Sequence, residues 1–254
     1  MTDELTQPRI LAIHAHPDDV EFLCAGTLIL LKRAGAAITI ATMTPGDCGS
    51  TELSPDDIAQ VRREEARRSA ELLGADYHCL EFRDLQIVVD NPSRRRVTEF
   101  LRRVRPDIVI TASPVDYMSD HEMTSHLVRD ACFNASVPNY ATCPDGEPAQ
   151  PLQKIPHLYY VDSVEGKDHF GKPIEPDFIV DVTEVFDEKQ QMLACHESQR
   201  SWLLRQHGID EYLESSKRWS AARGQEIGAT YGEAFRQHVG HPYPTDNRLL
   251  ALIS

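Results

Sequence analysis

Long hydrophobic runs are missing from this 254-residue sequence, and no stretch approaches the ~20 apolar residues that a membrane helix requires. The opening residues, MTDELTQPRI, are polar and acidic, which does not fit a secretory signal. Basic residues are in short supply: Lys and Arg number 26 against 40 Asp and Glu, for a net charge of −14. That balance argues against nucleic acid and against anionic membrane surfaces, because both attract basic patches. It leaves room for an uncharged or cationic ligand. Closely spaced cysteines are absent too. The thiols at positions 24, 48, 79, 132, 143 and 195 form no zinc clip or redox motif, and scattered thiols in an acidic chain suggest a reducing cytosol. There is no G-x-G-x-x-G turn, which speaks against a dinucleotide-binding oxidoreductase. No internal repeat is found.

What is present alternates between strand and helix patterns. Strands are expected at Arg9–Ala15, Ala37–Thr44, Tyr77–Phe82, Asp107–Ala112, Leu158–Ser163 and Phe178–Val182. Helices are expected at Glu21–Gly35, Pro92–Arg105, His121–Ala135 and Glu184–Gln199, with a long polar helix over Asp210–Val239. Another helix carries its own punctuation: Ser54 as N-cap, Pro55 in the first turn, Asp57 three residues after the cap and Gly74 as the stop. Residues Val137–Pro156 read as a long surface loop. Strands separated by helices imply an α/β fold, a mostly parallel sheet covered on both faces. The length suits one domain of this kind, residues 1–200, with residues 201–254 as a helical extension packed on it.

In open parallel sheets, ligands sit outside the carboxyl ends of the strands. Two chemically dense clusters fall there. His16-Pro17-Asp18-Asp19 follows the first strand, and Ser113–His121 follows the strand DIVITA. If those strands are neighbours, His16, Asp18, Asp19, Asp116, Asp120 and His121 face one crevice. Two imidazoles and a carboxylate suit Zn²⁺ with a fourth position left for water, and a spare carboxylate beside that water could act as general base. The plainer reading is a turn whose first Asp caps the next helix.

The motifs AHPDD, TPGDCGS, VRREEARRSAELLGA, SPVDYMSDHEMTS and ACHESQ, in that order between about Arg9 and Gln199, resemble the LmbE/PIG-L family of zinc-dependent N-deacetylases. The resemblance implies a Rossmann-like sheet and hydrolysis of the acetamide of an amino sugar or a related amide. Carried over motif by motif, it implies one Zn²⁺ per chain on His16, Asp19 and His121, with Asp18 as general base and Asp120 orienting an imidazole. The family's first His of H-P-D-H falls on Met118, a thioether that donates no hydrogen bond, so another donor must serve the oxyanion. His196 of ACHESQ is the expected substitute and Tyr117 the other candidate. Arg62 and Asp47 are expected substrate contacts, each with a bland alternative: a helix salt bridge for Arg62 and a turn-forming residue for Asp47. His14 reads as a buried structural histidine and His126 as a helix-face residue. Trp202, Leu203, Leu204, Tyr212 and Leu213 read as core or subunit contact. Two rivals stand beside the deacetylase: an amidase acting on a thiol-sugar conjugate, and a zinc-binding relative without catalysis. The expected partner is a small N-acetylated molecule, with homo-oligomerisation open.

Overall fold

The computed structural model of the chain describes residues 7–143, 146–201 and 211–254. β1 (Arg9–His14), β2 (Ala37–Thr42), β3 (Asp76–Cys79), β4 (Ile108–Thr111), β5 (His157–Val161), β6 (Phe178–Asp181) and β7 (Gly232–Gln237) form one sheet in the order β3-β2-β1-β4-β5-β7-β6. The first five strands are mutually parallel; β7 runs antiparallel to both β5 and β6. β1 is the pivot. Its register places Ile10 beside both Ile38 and Ile108, and the chain winds outward from it in two directions. That is the topological switch point where open α/β sheets bind ligands.

The central strands read as continuous apolar runs because both of their faces are covered. Successive side chains point to opposite faces. Ile10 and Ala12 therefore join one core with α2 (Ala25–Arg33), α3 (Pro55–Leu73) and α6 (Phe186–Ala194). Leu11 and Ile13 join the other, under α4 (Asn91–Val104) and α5 (Ser119–Asn134). The α3 punctuation is as expected: the Ser54 hydroxyl accepts from Asp57 N–H at 3.3 Å, and Gly74 ends the helix in the left-handed region. The helix expected over Glu21–Gly35 is instead two, α1 (Asp19–Leu23) and α2, broken at Cys24. Residues 137–156, where described, contain no helix or strand.

The C-terminal expectation needs correction. The long helix over Asp210–Val239 does not form. α7 covers Glu211–Glu226, Gly228 turns the chain at φ 74, and β7 follows. The cause is tertiary. Phe235 is 1% exposed because it sits between β5 and β6, and a continued helix would leave it outside the core. Residues beyond 200 thus build part of the sheet, not only a helical appendage; α8 (Arg248–Ile253) then closes the chain. Residues 202–204 lie outside the described residues.

β7 is tied in by a buried ion pair. Lys189 Nζ donates to Glu233 at 2.7 Å and to the Phe22 carbonyl at 2.7 Å. Glu233 also accepts from the N–H groups of Gly26 and Thr27 and the Thr27 hydroxyl, at the N-terminus of α2 where the helix dipole favours an anion. Removing one partner leaves an uncompensated charge, so Lys189→Met should cost about 3–5 kcal/mol in urea unfolding. The double variant Lys189→Met/Glu233→Gln should recover part of that loss. An unchanged unfolding midpoint in the single variant would show that the pair does not hold β7 to α2.

Candidate active site

Because β1 to β4 are parallel, the loops at their carboxyl ends open on one edge. There they line a crevice of about 740 Å³, its open mouth included. The β1 loop supplies His16, Asp18 and Asp19, and the β2 loop Cys48 and Gly49. The β3 loop supplies Asp84 and Leu85, and the β4 segment Tyr117, Met118 and His121. Arg62 reaches in from α3 and Gln199 from beyond α6. The two clusters that the sequence keeps 104 residues apart meet directly: His16 Nε2 lies 3.2 Å from Asp120 Oδ2.

Asp19 is the hub. Its Oδ2 accepts from the His16 N–H at 2.8 Å and lies 2.6 Å from His14 Nδ1. Its Oδ1 is 3.5 Å from His121 Nε2. Burial works to raise the Asp19 pKa, but the imidazoles of His14 and His121 outweigh it and hold the carboxyl well below its usual range. His14 Nδ1 lies against both Asp19 Oδ2 and the Ala15 N–H, at 2.6 and 2.8 Å, while the buried Nε2 has no partner among the described residues. Asp116 Oδ1 lies 3.2 Å from His121 Nδ1, within ion-pair range, although that nitrogen makes no hydrogen bond among the described residues. Carboxylates on the far nitrogens of ring ligands are the usual support of a metal site.

One ligand-type atom from each of His14, Asp19 and His121 lies within 4.8 Å of the others. This N,N,O set with an orphaned imidazole nitrogen fits zinc. His14, read from sequence as structural, is therefore in the group, while His16 is its neighbour. The His16 ring is 5.4 Å from that of His121, and Nε2 faces Asp120. Burial opposes a charge on His16, but hydrogen bonds with Asp120 and Asp19 push its pKa up to about 10. Asp120, expected beside an imidazole, lies against that of His16. A second close set, Asp47, Cys48 and Asp84, is less suited to a metal. Both oxygens of Asp47 are already engaged, by the Asp84 N–H and by Arg83.

Asp18 stands in the left-handed region, φ 102, a conformation Asp tolerates better than most residues. Burial, reinforced by Asp19 and opposed by Arg62, raises its pKa. Arg62 donates to the Pro17 carbonyl at 2.6 Å and to Asp18 Oδ2 at 3.3 Å. The glycines of PGDCGS make its path possible: a Cβ at Gly46 would stand 2.4 Å from the Arg62 guanidinium. Tyr212, read from sequence as core or contact, also reaches this base: its hydroxyl donates to Asp18 Oδ2 at 2.7 Å.

Three other expectations meet the structure differently. Asp47 lines no part of the crevice and instead staples the Cys48 loop to Arg83 and Asp84. Asp84, unmarked in the sequence, lines the crevice and carries a buried Oδ1 without a partner. His196 is corrected as the oxyanion donor: it is 0% exposed, lies 3.3 Å from Glu21 and does not line the crevice. Tyr117 does line it, with its ring edge-on to His121 at 5.5 Å.

Residues 11–132 match the family described as PIG-L, GlcNAc-PI de-N-acetylase. The match spans a little under half of the chain, and over those residues the chain is similar to this family. It is 29% identical over 199 residues to a diacetylchitobiose deacetylase of Thermococcus kodakarensis, covering 75% of this chain and 70% of that one. It is 27% identical over 199 residues to a 4-oxalmesaconate hydratase of Pseudomonas putida, covering 74% and 73%. Among solved structures, N,N'-diacetylchitobiose deacetylase from Pyrococcus horikoshii superposes with a TM-score of 0.78 at 26% identity, over 94% of this chain and 88% of that one. No helix among the described residues is long and apolar enough to cross a membrane.

If this cluster holds the metal, His121→Ala loses most of its zinc, read by elemental analysis of the purified protein. His14→Ala and His16→Ala, compared by competition with a chromophoric chelator, separate ligand from neighbour. Loss of a supporting group weakens metal binding about 10- to 100-fold, and loss of a direct ligand abolishes it. Full zinc in His121→Ala would remove that residue from the site.

Proposed function

We propose that the protein is a zinc-dependent hydrolase that removes an N-acetyl or related N-acyl group from an amino-sugar-type substrate. The observation that carries this reading is the pairing of adjacent carboxylates with opposite environments. Asp19 is held ionised among imidazoles, as a metal ligand must be, while burial raises the pKa of Asp18 as suits a base. The family match and the similarity to diacetylchitobiose deacetylases support the same substrate chemistry.

Asp19, His121 and an imidazole of the His14–His16 pair would hold the zinc. The ion, when bound, supplies a Lewis acid that lowers the pKa of water toward ~7. Asp18 takes the proton from the water that attacks the amide carbon. Arg62 keeps the Asp18 carboxylate at the crevice wall. Tyr117, at the mouth, is assigned the hydrogen bond to the developing oxyanion that Met118 does not supply. Asp84 Oδ1, buried and unpartnered, suits a substrate hydroxyl. The amine leaves after protonation, with Asp18 returning the proton.

Asp18→Asn should retain zinc while kcat falls by roughly 10²–10⁴, the usual worth of a general base. The assay measures acetate or free amine released from N-acetylhexosamine conjugates. The hydratase relative warrants a parallel arm: consumption of 4-oxalmesaconate without turnover of any acetamide would overturn the deacetylase reading. Tyr117→Phe should lower kcat about 10²–10³-fold, as loss of an oxyanion donor does elsewhere.

A further inference from the structure

We infer that Tyr212, from the C-terminal helix α7, is a positioning residue for the Asp18 base. This rests on the reading of Asp18 given above. Both side chains that touch the Asp18 carboxylate converge on one oxygen: the Tyr212 hydroxyl at 2.7 Å and the Arg62 guanidinium at 3.3 Å from Oδ2. Among the described residues nothing hydrogen-bonds to Oδ1, and Asp18 lines the crevice. Two donors on Oδ2 fix the plane of the carboxylate and leave Oδ1 as the oxygen that meets the attacking water. An unclamped carboxylate rotates, and misplacement of a reacting atom is costly in rate.

The phenol is itself well anchored. Its ring meets Phe22 edge-on at 4.8 Å, and Trp219, two turns further along α7, packs on the same Phe22 at 5.5 Å. Phe22 belongs to α1, and its N–H donates to the Asp18 carbonyl at 2.9 Å. The backbone and the side chain of Asp18 are therefore held through one aromatic contact. Tyr212 is 4% exposed, so water does not compete for its hydroxyl. A helix that follows the five family-like motifs in sequence thus completes the site that they begin.

The test is a double-mutant cycle on the zinc-loaded full chain with Tyr212→Phe and Asp18→Asn. Tyr212→Phe removes one oxygen and keeps the ring on Phe22. It should lower kcat about 10- to 100-fold, the scale of a hydrogen bond to a charged group, with KM and zinc content unchanged. In the Asp18→Asn background it should have no further effect on kcat, because the two residues act as one unit. A substrate-independent readout accompanies this: Asp18→Asn should perturb the near-ultraviolet tyrosine band, and that change should vanish in the Tyr212→Phe background. An undiminished kcat in Tyr212→Phe overturns the inference. So does an equal loss in both backgrounds, the signature of a purely structural role. If Asp18→Asn is itself fully active, the base reading falls first and takes the inference with it. A deficient Asp18→Asn beside a normal Tyr212→Phe isolates the failure to Tyr212.

Discussion

The site depends on a buried carboxylate with three imidazoles around it. Asp19 opens α1, is almost enclosed, and remains an anion because His14, the His16 backbone and His121 all turn toward it. An isolated charge at that depth would be strongly disfavoured. Carboxylates also lie against the rings, Asp116 Oδ1 at 3.2 Å from His121 Nδ1 and Asp120 Oδ2 at 3.2 Å from His16 Nε2. The result is a close-packed cluster in which bases and acids alternate. A divalent cation suits its centre, since the ring nitrogens and the carboxylate are already close together.

Next to Asp19, Asp18 experiences the opposite environment. The left-handed turn at Asp18 swings consecutive carboxylates apart. One goes into the imidazole cluster, the other toward Arg62, Tyr212 and the crevice. Divergent environments are what the proposed division of one short motif into a ligand and a base requires. The buried Lys189–Glu233 pair serves this arrangement at a distance, since Lys189 also holds the carbonyl of Phe22, the residue against which Tyr212 packs. The C-terminal sheet strand and the Asp18 turn are thus parts of one packed unit.

Much of this was legible from local pattern. Continuous apolar strands, the Ser54 and Gly74 signals around α3, and the two polar clusters beyond strand ends needed only short-range chemistry to read. Legibility stopped where the answer required a partner from elsewhere in the chain. GEAFRQ is unremarkable as a strand by itself, and only its seat between β5 and β6 makes it one. The resemblance put His16 on the metal and left His14 a structural role, with nothing local to test either. Which ring nitrogen is left bare depends on Asp120 lying beside one and Asp19 bonding the other. His196 carries a family-like motif, yet burial against Glu21 keeps it out of the crevice. Tyr212 bears no motif at all, and its role follows from a 2.7 Å contact across 194 residues.

The sequence alone determined the fold class, the edge of the sheet where the polar clusters gather, and the chemical types expected there: imidazole and paired carboxylates. These follow from periodicity and residue identity, properties that act over one strand or one helical turn. The tertiary structure alone decided that His14 stands beside Asp19 and His121, which oxygen of Asp18 meets Tyr212 and Arg62, and that His196 stays out of the crevice while Tyr117 lines it. Those outcomes turn on distances of a few ångströms between side chains from separate loops. Such distances exist only once β1 and β4 lie side by side and α7 has packed against Phe22.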